Sequence, residues 1–106
     1  MGTIIKAECH CGFKTNELYL GAGMQNFMDI SNIPALKKNA SNIKMLNYKE
    51  KQKYPDYLFY NDPELTGLSN SSVSIEWDGI AIFEQYNFCP QCKKYSLSFI
   101  PIGLFD

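Results

Sequence analysis

Four cysteines in two close pairs constrain this chain more than any other feature of it. Cys9-His10-Cys11-Gly12 stands near one end and Cys89-Pro90-Gln91-Cys92 near the other. Two such turns are the usual supply of four thiolates to a tetrahedral metal, because each lets its two sulfurs converge on a point. Gly12 suits a turn needing positive φ, and Pro90 pre-sets the other. For one ion to take all four ligands, the chain must close across the 77 residues between Cys11 and Cys89. Zinc, one ion per chain, is the expected metal, since it asks only for tetrahedral geometry and soft ligands; iron accepts the same donors. Disulfides are a rival with three pairings, although an intracellular chain is normally kept reduced. A redox-active CxxC belongs between a strand and a helix, whereas the KKYSLSFIPI that follows Cys92 reads as strand. His10 lies between two better ligands and is expected to point away.

With 106 residues, 45% of them hydrophobic, the chain reads as one domain with a real core, which a metal would reinforce. No basic segment leads into an apolar one at the start, and no apolar run approaches the roughly 20 residues of a membrane span. The expectation is a cytoplasmic protein without membrane contact. Net charge is −1, but Lys37, Lys38, Lys44, Lys49, Lys51 and Lys53 face only Glu50 within one segment. Those six are candidate phosphate contacts. The absence of arginine counts against base-specific reading of nucleic acid.

The pattern is of short strands and turns, which predicts a mainly β fold: a small zinc-ribbon-like antiparallel sheet domain with little helix. Residues 3–8, 13–21, 42–48, 57–60 and about 95–102 read as strands, and 61–72 as loop. Met24, Phe27, Met28 and Ile30 could line one helical turn, which Pro34 would stop. Val73-Ser74-Ile75-Glu76-Trp77 followed by Asp78-Gly79 predicts a two-residue hairpin over 73–84.

Tyr54-Pro55-Asp56-Tyr57 repeats the shape of Cys89-Pro90-Gln91-Cys92 with tyrosine for cysteine. Thirteen residues upstream of it ends Lys37-Lys38-Asn39-Ala40, an ordinary CxxC-x13-CxxC spacing for a ribbon. The segment between, 41–53, reads as strand, polar turn and return. Lys37, Ala40, Tyr54 and Tyr57 would then mark a former metal site, its volume refilled by aromatic packing. The alternative is a plain proline turn flanked by core tyrosines.

With its CxCG start, the bend Leu20-Gly21-Ala22-Gly23-Met24, a central ribbon and a CPxC close, the chain resembles the small bacterial zinc-ribbon proteins with rubredoxin-like knuckles, a group of unassigned function. The resemblance implies Cys9, Cys11, Cys89 and Cys92 as zinc ligands. It also implies a discontinuous ribbon from 3–20 and 84–104 within a single domain, 1–106, carrying an inserted ribbon at about 34–60. The central site departs from the pattern, because none of its four positions is a plausible zinc ligand.

No nucleophile, base and orienting group assemble from this sequence, so no enzyme is expected. The expected role is a non-catalytic zinc module that binds another protein, with segment 54–60 and loop 61–72 as candidate surfaces. The competing role is a nucleic-acid-binding ribbon that uses the six lysines, with Tyr48, Tyr54, Tyr57 or Tyr60 as stacking partners.

Overall fold

The structure is a computed structural model that describes residues 2–21, 30–67, 70–77 and 79–105. It is mainly β, built from antiparallel strands. Strand β1 (Gly2–Cys9) and the long last strand β9 (Tyr95–Phe105) are partners despite standing at opposite ends of the chain. Their register runs from Gly2 opposite Phe105 to Cys9 opposite Leu97. Alternation explains the pairing: Ile5, Ala7, Leu97 and Phe99 turn one way and are buried, while Lys6, Glu8, Ser96 and Ser98 turn the other. Strands β2 (Leu18–Leu20) and β8 (Asn87–Phe88) flank this pair, giving the order β2-β1-β9-β8.

The bulge in β9 has a use. Ile4 faces Gly103 and Ile5 faces Pro101, so Ile102 is the extra residue. Phe99 donates its N–H away from β1, to Glu84 O at 2.9 Å, and Pro101 has the same parity. The missing N–H of Pro101 therefore falls on the open edge of β9, beyond the reach of short β8. A proline and a bulge there blunt an edge that could otherwise recruit another strand.

A second sheet holds β3 (Asn32–Lys37), β4 (Ile43–Asn47) and β5 (Tyr57–Phe59) in the order β4-β3-β5. Pro34 sits inside its central strand, where a missing donor is ordinarily costly. Tyr60 N–H donates to Pro34 O at 2.9 Å, just beyond the last β5 pair, so only one bond of the usual two is forgone. A third pair, β6 (Ser74–Trp77) with β7 (Ile80–Phe83), closes through Gly79 at φ +79°. This is the expected hairpin. The first two sheets join where Gly21 and Asn32 exchange backbone bonds. Ile5, Leu20, Ile33, Ile82, Leu97 and Phe99 form the shared interior.

Several expectations need correction. Residues 13–21 contain strand only at Leu18–Leu20. The stretch 32–36 is strand, and the suggested helical turn on Met24, Phe27 and Met28 lies outside the described residues. The expected loop 61–72 includes a helical turn, α1 (Pro63–Thr66), with proline in its first turn. The segment 41–53 does not return on itself. Tyr48–Lys53 forms a 3-10 arch that carries the chain over β3, so β5 joins the far edge of that strand.

Candidate metal centre

Strand pairing builds the site. β1 ends at Cys9, where Gly12 N–H closes a turn on Cys9 O at 3.0 Å and Cys9 N–H reaches Phe13 O at 2.9 Å. Gly12 adopts φ +102°, which a side chain would resist. β8 delivers Cys89, whose N–H bonds Lys94 O at 2.8 Å while Lys93 N–H returns to Cys89 O at 2.9 Å. Because Cys9 stands opposite Leu97 in the β1–β9 ladder, the two knuckles face each other.

Their sulfurs meet. Cys9 and Cys92 Sγ lie 3.7 Å apart, as do Cys11 and Cys89 Sγ, and all four fall within 4.8 Å of one another. A metal–sulfur bond of about 2.3 Å gives a tetrahedron with edges of about 3.8 Å, so these spacings fit a four-thiolate ion. The cysteines are free, at a separation far above the roughly 2.05 Å of a disulfide bond. The four can hold a metal ion. His10 is exposed and outside the group, as expected.

The thiols are not equivalent. Burial pushes Cys89 up to about 12, against N–H bonds from Cys92 and Gln91 that favour its thiolate. The Ser96 hydroxyl is the main cause that pulls Cys92 down to about 6. Cys9 is lowered too: burial acts against its thiolate but is outweighed by the Cys11 N–H and Ser96. Ser96 Oγ stands 3.1 Å from Cys9 Sγ and 3.5 Å from Cys92 Sγ, serving both knuckles. Gln91 Nε2 lies 3.6 Å from Cys11 Sγ. Binding requires all four deprotonated, and Cys89 is the one whose charge most needs the ion. Nothing in the sequence marks Ser96 or Gln91 beyond their nearness to Cys92.

Tyr60 braces the second knuckle from below. Fully buried, it donates its hydroxyl to Phe88 O at 2.7 Å and sets its ring edge-on to Phe99 at 5.1 Å. Burial, with the neighbouring Cys89, raises its pKa, so it stays a donor.

The central positions also come together. Lys37 pairs with Tyr57 across β3 and β5, Ala40 N–H closes a turn on Lys37 O, and Tyr57 N–H closes another on Tyr54 O. Lys37, Ala40 and Tyr57 line one cavity of about 340 Å³, and the Tyr54 ring meets that of Tyr57 edge-on at 5.9 Å. Tyr57 N–H closes on the residue three back, whereas the N–H of Lys93, not of Cys92, closes the cysteine turn, so the resemblance is in placement more than in backbone shape.

All six lysines of the basic segment are exposed. Lys53 pairs with Glu50 at 2.7 Å, which lowers that carboxyl, and Lys51 lies 5.0 Å over the Tyr48 ring. Of the aromatic candidates, Tyr60 is excluded as a stacking platform by its burial, and Tyr48 already packs edge-on against Phe59 at 5.2 Å. Phe59 and Tyr60 likewise drop out of the proposed surface 54–60, because both are buried, Phe59 at the end of β5 and Tyr60 in the turn that follows.

Among the described residues no helix is long and apolar enough to cross a membrane. Comparison of the chain with family models, with curated proteins and with solved structures returns no match.

Proposed function

We propose that this chain is a non-catalytic module built around one structural zinc ion, and that it acts by binding another protein. One observation carries the reading: the four cysteine sulfurs of the two turns lie within 4.8 Å of one another, two of the pairs at the 3.7 Å that a tetrahedral thiolate shell requires. Four sulfurs complete a zinc shell and leave no position for water or substrate, which is the mark of a structural rather than a catalytic site. Cys9, Cys11, Cys89 and Cys92 hold the ion; Ser96 and Gln91 soften the charge of its thiolates. Bound zinc would tie β1 to the β8–β9 turn and so fix the surface around the knuckles. Exposed Tyr86 and Tyr95, on either side of the second knuckle in sequence, offer the side-chain type that anchors protein contacts.

Metal analysis of purified protein tests the first half. One zinc per chain, with a cobalt-substituted spectrum of tetrahedral thiolate type, is expected; iron as the native metal, or a water ligand on cobalt, would refute it. Affinity capture with the zinc-loaded chain tests the second half, and a chain that retains nothing would refute that.

The exposed lysines favour one further reading, a ribbon that holds single-stranded nucleic acid by its phosphates. Fluorescence anisotropy with oligothymidylate decides it: binding at low salt that falls steeply with added salt would support the reading, and no binding at low salt would end it.

A further inference from the structure

A groove of about 560 Å³ opens between the second sheet, α1 and the second knuckle, and the metal centre does not account for it. Its floor is apolar. Leu36 and Leu65 are buried beneath it, with Leu58 and Phe88 half-buried alongside. Its rim is cationic: Lys37, Lys38 and Lys93 are all exposed there, and Glu64 is the one acid in the lining. Among the described residues none of the three lysines has a carboxylate within ion-pair distance.

The backbone carries a second sign. Asn39 at φ +64° and Lys93 at φ +62° both line this groove. Asparagine tolerates that conformation, but lysine meets a steric penalty that glycine escapes. The first knuckle places Gly12 directly after its second cysteine, at φ +102°. The second knuckle has a left-handed residue at the same point and fills it with a lysine on the groove rim. A strained residue kept where its side chain can serve a ligand is a recurrent property of binding sites.

Resting on the reading of this chain as a protein-binding module, we propose that the groove docks an acidic segment of the partner that carries an apolar side chain. The apolar residue would fill the floor, and carboxylates on either side of it would meet Lys37, Lys38 and Lys93. The volume lies within the roughly 300–1,000 Å³ of ordinary ligand sites. Charge sign selects an acidic over a basic segment. The floor selects a peptide over nucleic acid, which needs exposed aromatic faces to stack on: Leu36, Leu58 and Leu65 are aliphatic, and the half-buried Phe88 ring is already packed edge-on against Tyr95 at 5.6 Å.

The test is a titration of the isotope-labelled, metal-loaded full chain with a capped hexapeptide of alternating glutamate and leucine, read by amide chemical shifts. Shifts confined to residues 36–40, 58, 64–65, 88 and 93 are expected, with millimolar or tighter affinity that falls severalfold at about 0.3 M salt. Lys38→Glu should weaken binding about tenfold. Lys93→Gly, which relieves its own backbone and so should fold at least as well, should weaken it severalfold. Replacing leucine by serine in the peptide should abolish the response. The proposal is overturned by shifts elsewhere, by no shifts at millimolar peptide, by an equal response to a lysine–leucine peptide, or by oligothymidylate outcompeting the peptide at the same amides. A partner captured equally well by Lys38→Glu and Lys93→Gly chains would sink the groove while leaving the protein-binding reading intact.

Discussion

Stripping the metal should lower the stability of this domain by an amount its topology sets. The ion would cross-link positions as far apart as Cys11 and Cys89, 78 positions apart in the chain. The ion stabilises through its affinity for the folded site, and the share that comes from holding a loop of that length closed is about 4.5 kcal/mol by the chain-entropy relation used for disulfides. That is a large part of the roughly 5–15 kcal/mol total of a typical domain, but the β1–β9 ladder and the shared core are contacts the ion does not itself make. The metal-free chain should therefore remain folded but weakened. With a guanidinium m-value of about 4 kcal/mol/M for a domain of this size, the unfolding midpoint should fall by about 1 M. Far-UV circular dichroism of zinc-loaded and chelated protein, under reducing conditions, measures the shift. A double variant, Cys9→Ser with Cys11→Ser, should match the chelated protein and ignore added zinc. A midpoint change below about 0.2 M would refute the cross-link argument, as would a double variant that still responds to zinc.

Three other outcomes follow from the same geometry. In metal-free protein Cys92 should be alkylated first near neutral pH and Cys89 last, as mass spectrometry would show, since the first is pulled down to about 6 and the second pushed up to about 12. A depressed thiol stabilises the fold above its unfolded pKa and loses that contribution as pH falls through the folded value; Ser96→Ala should thus move the reactivity midpoint of Cys92 upward. Tyr60→Phe removes the 2.7 Å bond to Phe88 O while keeping the ring against Phe99, at a cost of about 1 kcal/mol in thermal or denaturant unfolding. Pro101→Val restores a donor to the open edge of β9, and sedimentation velocity should then detect self-association absent from the parent chain.

The metal centre was legible because its chemistry is local. A CxC or CxxC turn converges its sulfurs by backbone geometry alone, whatever surrounds it. The hairpin around Gly79 was legible for the same reason: alternation and a two-residue loop are short-range signals. The path of the middle of the chain was not. Local pattern makes 43–47 a strand but does not say that β3 will stand between it and β5, since that depends on which edge of β3 is free. Tyr48, Tyr54, Tyr57 and Tyr60 look alike in sequence. Only β5 pairing buries Tyr60 under the second knuckle and leaves Tyr54 and Tyr57 half-exposed.

By itself, then, the sequence determined a mainly β chain with four thiolates in two turns, because both properties arise between near neighbours. Tertiary structure decided that the two turns share one centre, that Ser96 serves both of them, and that a lysine at a glycine's place borders an apolar groove. Each of those joins residues many positions apart, and their meeting depends on strand order and register that no local preference encodes.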